Sequence, residues 1–148
     1  MAVELRTHGA AGSLAGERAE GWLEVVVIHT TIPATLASLK RAAELADGLA
    51  ASIRLLVLTV VPYPLAIESP QVPAAFMRRR FTTVASEARV DTVVDIRLGR
   101  DQMIMIETAL KPGSLVVLER RRGWWRRHPA RNLAKRLERL GHQVVYSN

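Results

Sequence analysis

The chain has 148 residues, of which 49% are hydrophobic and 24% charged, and it contains no cysteine. This length and composition are typical of one folded domain and exclude a fibrous, collagen-like or low-complexity chain. Without cysteine there are no disulfides, thiolate metal sites or thiol nucleophiles. No apolar stretch reaches the roughly 18 to 20 residues of a membrane-spanning helix, and the first 21 residues hold no apolar block of signal-peptide length. These features predict a cytoplasmic protein.

The net charge of +7 is concentrated in one stretch of the sequence. Nine basic residues and two acidic ones lie between Glu119 and Arg139, whereas the rest of the chain carries equal numbers of both. A local positive field of this kind concerns binding partners and association rates rather than the fold.

The order of apolar and amphipathic segments predicts the fold class. Residues 1–21 combine small side chains with scattered charges, which predicts a flexible leader because such side chains bury little surface. Apolar runs that predict strands cover residues 23–29, 53–61, 91–98, 114–118 and 142–146. Helical patterns between them begin near Pro33, Val72, Asp101 and Pro129. Strands that alternate with helices form a parallel sheet covered on both faces, so we predict a single three-layer, doubly wound α/β domain over residues 22–148.

Two stretches of this domain resemble the universal stress protein family. They are ELADGLAASIRLLVLTVVP, which enters the second predicted strand, and LGRDQMIMIETALKPGSLVVLE, which leads into the fourth. The resemblance covers about residues 22–148 and implies a five-stranded sheet of order 3-2-1-4-5. The winding direction then changes between strands one and four, where open α/β sheets bind their ligands. It also implies a homodimer through the C-terminal edge strand, whose apolar residues are Val144, Val145 and Tyr146.

The nucleotide-binding motifs of that family are altered in this chain. Its ATP-binding members carry an acidic residue after the first strand, where this chain has His29, Thr30 and Thr31. They also carry G-x2-G-x9-G-[ST] after the fourth strand, and glycines there let backbone amides surround phosphates. Glu119, Arg122 and Arg131 stand near the three glycine positions, Asn132 takes the Ser/Thr place, and Gly123 alone remains. These changes argue against ATP binding in the family's manner.

Residues 120–128, RRRGWWRRH, have the most distinctive chemistry in the sequence. The segment loosely resembles loops in the stress-protein-like domains of potassium-sensing histidine kinases and in the tails of amino-acid permeases. One interpretation is a solvated arginine rim with one tryptophan packed as a lid. Another is an anion site over the cleft, since guanidinium groups match phosphate and carboxylate. Docking to an anionic membrane surface or a membrane protein is a third, and nucleic acid, for which no groove-reading motif is present, is the weakest.

These considerations give one set of candidate binding residues and no catalytic or metal-binding ones. His8, His29, His128 and His142 are scattered without metal-ligand spacing, and no nucleophile elbow, Walker loop or carboxylate pair occurs. Arg78, Arg79 and Arg80 fit the solvated side of a helix. We predict a non-catalytic regulatory domain that binds an anionic ligand or partner; the alternatives are an ATP-type nucleotide binder with non-standard contacts and a membrane-surface docking domain. The candidate ligand-binding residues are His29, Thr30, Thr31, Val61, Gly99, Glu119, Arg120, Arg122, Gly123, Arg126, Arg127 and Asn132.

Overall fold

A computed structural model describes residues 3–8, 23–119 and 129–147. The strands within these ranges are β1 (Val3–His8), β2 (Glu24–Ile28), β3 (Ser52–Val60), β4 (Thr92–Gly99), β5 (Leu115–Glu119) and β6 (Gln143–Ser147). The helices are α1 (Ile32–Leu49), α2 (Ala74–Glu87), α3 (Gln102–Ala109) and α4 (Pro129–Arg139). Each strand and helix predicted from residue 22 onward is present, with boundaries that differ by a few residues at most.

The strands form one sheet in the order β1-β4-β3-β2-β5-β6. Strands β2 to β6 pair in parallel, and their order corresponds to the predicted 3-2-1-4-5. The chain adds β3 and β4 on one side of β2 and then crosses to add β5 and β6 on the other. The predicted fold class is therefore confirmed, with the change of winding direction between β2 and β5.

A sixth strand, β1, extends the sheet beyond the predicted five. It pairs antiparallel with β4, in a register that runs from Val3 opposite Leu98 to His8 opposite Val93. Residues 1–21 were predicted to form a flexible leader, and this strand was not predicted. Its signal is short, because Val3 and Leu5 alternate with Glu4 and Arg6 over only a few residues. The remainder of the predicted leader lies outside the described residues.

Two apolar layers cover the faces of the sheet. Helices α1 and α2 pack on one face, where Val25, Leu39, Leu55 and Phe81 belong to one buried cluster. Helices α3 and α4 cover the other face with a second cluster that includes Ile106 and Leu137. The central strands are buried on both faces, which explains why they read as continuous apolar runs in the sequence.

Candidate functional site

A pocket of about 370 Å³ opens at the carboxyl ends of β2 and β3, and we call it the β3–α2 pocket. Its walls are the end of β3, one face of α2 and the segment of residues 61–73 that connects them. The apolar lining includes Val57, Val60, Val72, Phe76, Met77 and Phe81. Its polar side chains are His29, Thr59, Gln71 and Arg80. This volume and mixed lining are typical of small-molecule sites.

His29 is held at the inner end of the pocket by three contacts. Its backbone N–H donates to the Leu56 carbonyl at 2.9 Å, which continues the pairing of β2 with β3 by one residue. The ring Nδ1 lies 2.7 Å from the hydroxyl of Thr35 on α1. The ring also meets Phe81 edge-on, with the two centroids 4.6 Å apart and an interplanar angle of 69°. Because Nδ1 is engaged by Thr35, Nε2 is the ring nitrogen that remains for a ligand.

The environment of His29 keeps its side chain neutral at physiological pH. Burial lowers the pKa of His29 from 6.5 to about 4, and the nearby positive charge of Arg80 acts in the same direction. The imidazole is therefore an uncharged hydrogen-bonding group in the site.

Arg80 supplies a positive charge at the edge of the pocket. It is exposed on α2, one helical turn after Phe76, and forms no ion pair with any residue in the described ranges. A guanidinium group offers planar, forked donors that match a carboxylate or phosphate group. Arg80 and His29 together can thus bind an anionic group without competition from an ion pair to Arg80 within the described ranges.

Arg100 fixes the start of the segment that forms the outer wall. Its Nη1 donates to the Val61 carbonyl at 2.7 Å and its Nη2 to the Leu65 carbonyl at 2.6 Å. The guanidinium also lies 4.0 Å from the centre of the Tyr63 ring, a cation–π contact. The Val61 N–H donates to the Gly99 carbonyl at 2.8 Å. These contacts tie the proline-containing segment to the end of β4.

The structure brings only part of the predicted site together in the β3–α2 pocket. His29 and Val61 line it. Thr30 and Thr31 are exposed before α1, and the Thr31 hydroxyl accepts the Ala34 N–H at 3.4 Å, so Thr31 acts as the cap of that helix. The other three described candidates do not line the pocket: Gly99 is buried at the end of β4, Glu119 ends β5 half-buried, and Asn132 is exposed on α4.

The remaining candidates belong to the predicted arginine–tryptophan loop. They are Arg120, Arg122, Gly123, Arg126 and Arg127, and they lie outside the described residues. The anion, membrane and nucleic-acid interpretations of that loop therefore remain predictions.

The contributions of α2 and of residues 61–73 to the pocket were not predicted. Arg80 was assigned to the solvated side of a helix together with Arg78 and Arg79, whereas the structure places it on the pocket as well as at the surface. The available signal was helical spacing, since Arg80 follows Phe76 by four residues and Met77 by three. Gln71 and Thr59 carried no comparable signal.

The residues in the described ranges hold no cluster of three or more metal-ligating side chains. None of their helices is both long enough and apolar enough to span a bilayer.

Comparisons with known proteins establish the fold class. No protein-family model and no curated protein matches the chain. Among solved structures, a universal stress protein from Archaeoglobus fulgidus superposes with a TM-score of 0.58 at 12% identity, covering 86% of this chain and 94% of that one. A universal stress protein in complex with cAMP superposes with a TM-score of 0.50 at 16% identity, covering 86% of this chain and 98% of that one.

The chain accordingly has the universal stress protein fold, as its resemblance to that family implied. The identities of 12% and 16% establish this likeness for the fold alone.

Proposed function

We propose that this protein is a non-catalytic regulatory domain of the cytoplasm that binds a small anionic organic ligand in the β3–α2 pocket. The observation that carries the proposal is that Arg80 and His29 line the same largely apolar pocket. Arg80 is a guanidinium without an ion partner in the described structure, and His29 is a neutral imidazole. An anion bound there forms charge-assisted hydrogen bonds to Arg80, while its apolar part displaces water from the Phe76 side of the pocket.

The arginine–tryptophan loop of residues 120–128 belongs to the same proposal. It precedes α4, and its charge adds to the field that draws anions toward the carboxyl ends of the strands. Its arginines are proposed to attract the incoming anion from solution.

Isothermal titration of the full chain with a panel of anionic metabolites and nucleotides tests this function. We expect at least one saturable titration, and we expect its affinity to fall in Arg80→Gln but to persist in Arg79→Gln. The second variant removes the same charge from the adjacent residue of α2, which does not line the pocket. The proposal is wrong if none of the compounds gives a saturable heat of binding at millimolar concentration.

A nucleotide is the second candidate ligand, and the structural neighbour in complex with cAMP favours it. A cyclic nucleotide combines a planar base with one negative charge, a combination that Phe76 and Arg80 can accept. Contacts of this kind differ from the glycine-rich phosphate loop, which this sequence lacks.

We further propose that two copies of the chain pair through β6. Among the described strands, β6 lies at one end of the sheet, and its residues Val144, Val145 and Tyr146 are only half-buried in a single chain. An open strand edge with apolar side chains favours pairing with a twofold-related copy.

A further inference from the structure

We infer that the ligand of the β3–α2 pocket is a planar aromatic monocarboxylate rather than a nucleotide, an inference that rests on the proposed function and specifies its ligand class. It depends on three properties of the pocket lining: its charge, its exposed apolar surface and its few hydrogen-bonding groups.

The charge of the pocket matches one negative charge. Of the fourteen described residues that line it, Arg80 alone carries a full charge, because His29 is neutral and the other twelve have no acidic or basic side chain. A carboxylate brings one negative charge and two oxygens that fit the fork of a single guanidinium. A phosphate monoester brings about 1.5 to 2 negative charges at neutral pH, and the described lining leaves part of that charge without a partner. A cyclic nucleotide carries one charge, so its sugar and base distinguish it from an aryl carboxylate.

The apolar lining remains exposed where a soluble domain ordinarily buries such groups. Val60, Val72 and Phe76 retain 48%, 43% and 53% of their accessible surface, and all three border the same pocket. Contiguous exposed apolar side chains around a concave site indicate an apolar ligand surface. Phe76 and Phe81 also present aromatic rings, which favour a flat ring as the apolar part.

The described part of the lining offers few uncharged hydrogen-bonding side chains to a ribose and a base. They are Thr59, Gln71 and His29. Two of them already have partners, since the Thr59 hydroxyl donates to the Met77 sulfur at 3.5 Å and the His29 Nδ1 lies 2.7 Å from the Thr35 hydroxyl. A sugar hydroxyl buried without a partner is penalised, so a nucleoside binds this lining less well than an aryl group of similar size.

The test is isothermal titration of the full chain with naphthoate, its neutral analogue naphthamide, cyclic AMP and ATP. We expect naphthoate to bind at least about tenfold more tightly than the other three, since its carboxylate gains a charge-assisted bond that the amide lacks. Arg80→Gln should weaken naphthoate at least about fivefold and leave naphthamide unchanged, whereas Arg79→Gln should leave both unchanged. Phe76→Ala should weaken naphthoate and naphthamide equally.

The other outcomes separate this inference from the proposed function. Binding of cyclic AMP or ATP that depends on Arg80, without binding of naphthoate, overturns the ligand class and keeps an anion-binding pocket. Equal losses of naphthoate affinity in Arg79→Gln and Arg80→Gln also overturn the inference. They would indicate that the overall positive charge of α2, rather than a specific contact with Arg80, attracts the ligand. Failure of all four compounds, and of the wider panel of anions, removes the proposed function and this inference together.

Discussion

Arg54 on β3 donates from Nη1 to Oδ2 of Asp95 on β4 at 2.9 Å, in a part of the sheet where the Asp95 side chain is fully buried. The same guanidinium donates from Nη2 to Glu24 on β2 and to the Ala109 carbonyl at the end of α3, each at 2.9 Å. Asp95 also accepts two hydrogen bonds from Arg97 at 3.1 Å. This ion cluster joins three adjacent strands and one helix, away from the β3–α2 pocket.

Removing the charge of Asp95 should destabilise the fold more than any other single carboxylate change in this region. Asp95→Asn leaves Arg54 and Arg97 buried without their shared anion, which lowers the free energy of unfolding by about 3 to 5 kcal/mol. Glu24→Gln should lower it less, because the Glu24 side chain is 25% exposed and water replaces part of the interaction. Urea denaturation followed by circular dichroism measures both.

The matched control for this series is Glu44→Gln. Glu44 pairs with Arg41 at 2.9 Å on the surface of α1, with both side chains about half exposed, and such pairs contribute less than about 1 kcal/mol. If Asp95→Asn lowers the free energy of unfolding no more than Glu44→Gln does, the cluster does not hold the strands together.

The pKa of His29 makes the stability of the fold depend on pH. Unfolded His29 takes up a proton near pH 6.5, whereas the folded residue stays neutral until about pH 4. The folded state binds fewer protons between these values, so stability is lost as the pH falls from about 6.5 to 4. We expect a contribution of about 1 to 2 kcal/mol, because this half-buried ring is partly screened by water.

His29→Gln isolates this contribution from those of the carboxyl groups. Packing changes alter the stability of the variant at every pH, so the quantity to compare is the loss between pH 7 and pH 4.5 in urea denaturation. We expect a smaller loss in His29→Gln than in the wild type. Identical losses in both proteins would show that His29 titrates normally in the folded state.

Gly99, one of the predicted ligand-binding residues, packs closely against Met105. A Cβ at this position would lie 2.8 Å from the Met105 sulfur and 2.9 Å from its Cγ, and the Met105 side chain is buried. We expect Gly99→Ala to destabilise the fold by about 1 to 3 kcal/mol through overpacking. Thermal denaturation checks this value, and Met105→Val in the Gly99→Ala background should restore part of the loss.

Gly48 provides the opposite control for this prediction. It lies in the last turn of α1, and a Cβ there meets nothing within 4 Å. Gly48→Ala should therefore stabilise the helix by about 0.5 to 1 kcal/mol. A loss of stability at Gly48 equal to that at Gly99 contradicts the packing argument.

The parallel core of this fold was predictable because its strands are buried on both faces. Runs such as VVVI of β2 and LVVL of β5 have no polar interruption, and proline or glycine lies near the ends of several elements. Strand β1 was missed because an edge strand of alternating residues within a glycine- and alanine-rich stretch gives a weak periodic signal. Its pairing also depends on β4, which lies more than eighty residues away.

The candidate site was only partly predictable for a related reason. His29 follows a central strand directly, so the fold class alone places it at the carboxyl edge of the sheet. Arg80 and Gln71 reach the same pocket because α2 and residues 61–73 pack against the end of β3. Helical spacing places Arg80 near Phe76 on α2, but it does not encode this tertiary packing or the contacts of Arg100 with Val61 and Leu65.

Pairing through β6 can be tested without disturbing the pairing of β6 with β5. The Gln143 N–H donates inward to the Ser114 carbonyl at 3.0 Å, and successive residues of a strand alternate in direction, so the Val144 N–H points to the open edge. Val144→Pro removes this outward donor and should convert a dimer into monomers, whereas Gln143→Ala, at an exposed side chain, should leave it intact. Sedimentation velocity measures the mass, and circular dichroism verifies that Val144→Pro remains folded. A wild-type protein that sediments as one chain at every concentration up to about 0.5 mM contradicts the proposal, since a stable edge-to-edge dimer has a Kd well below that range.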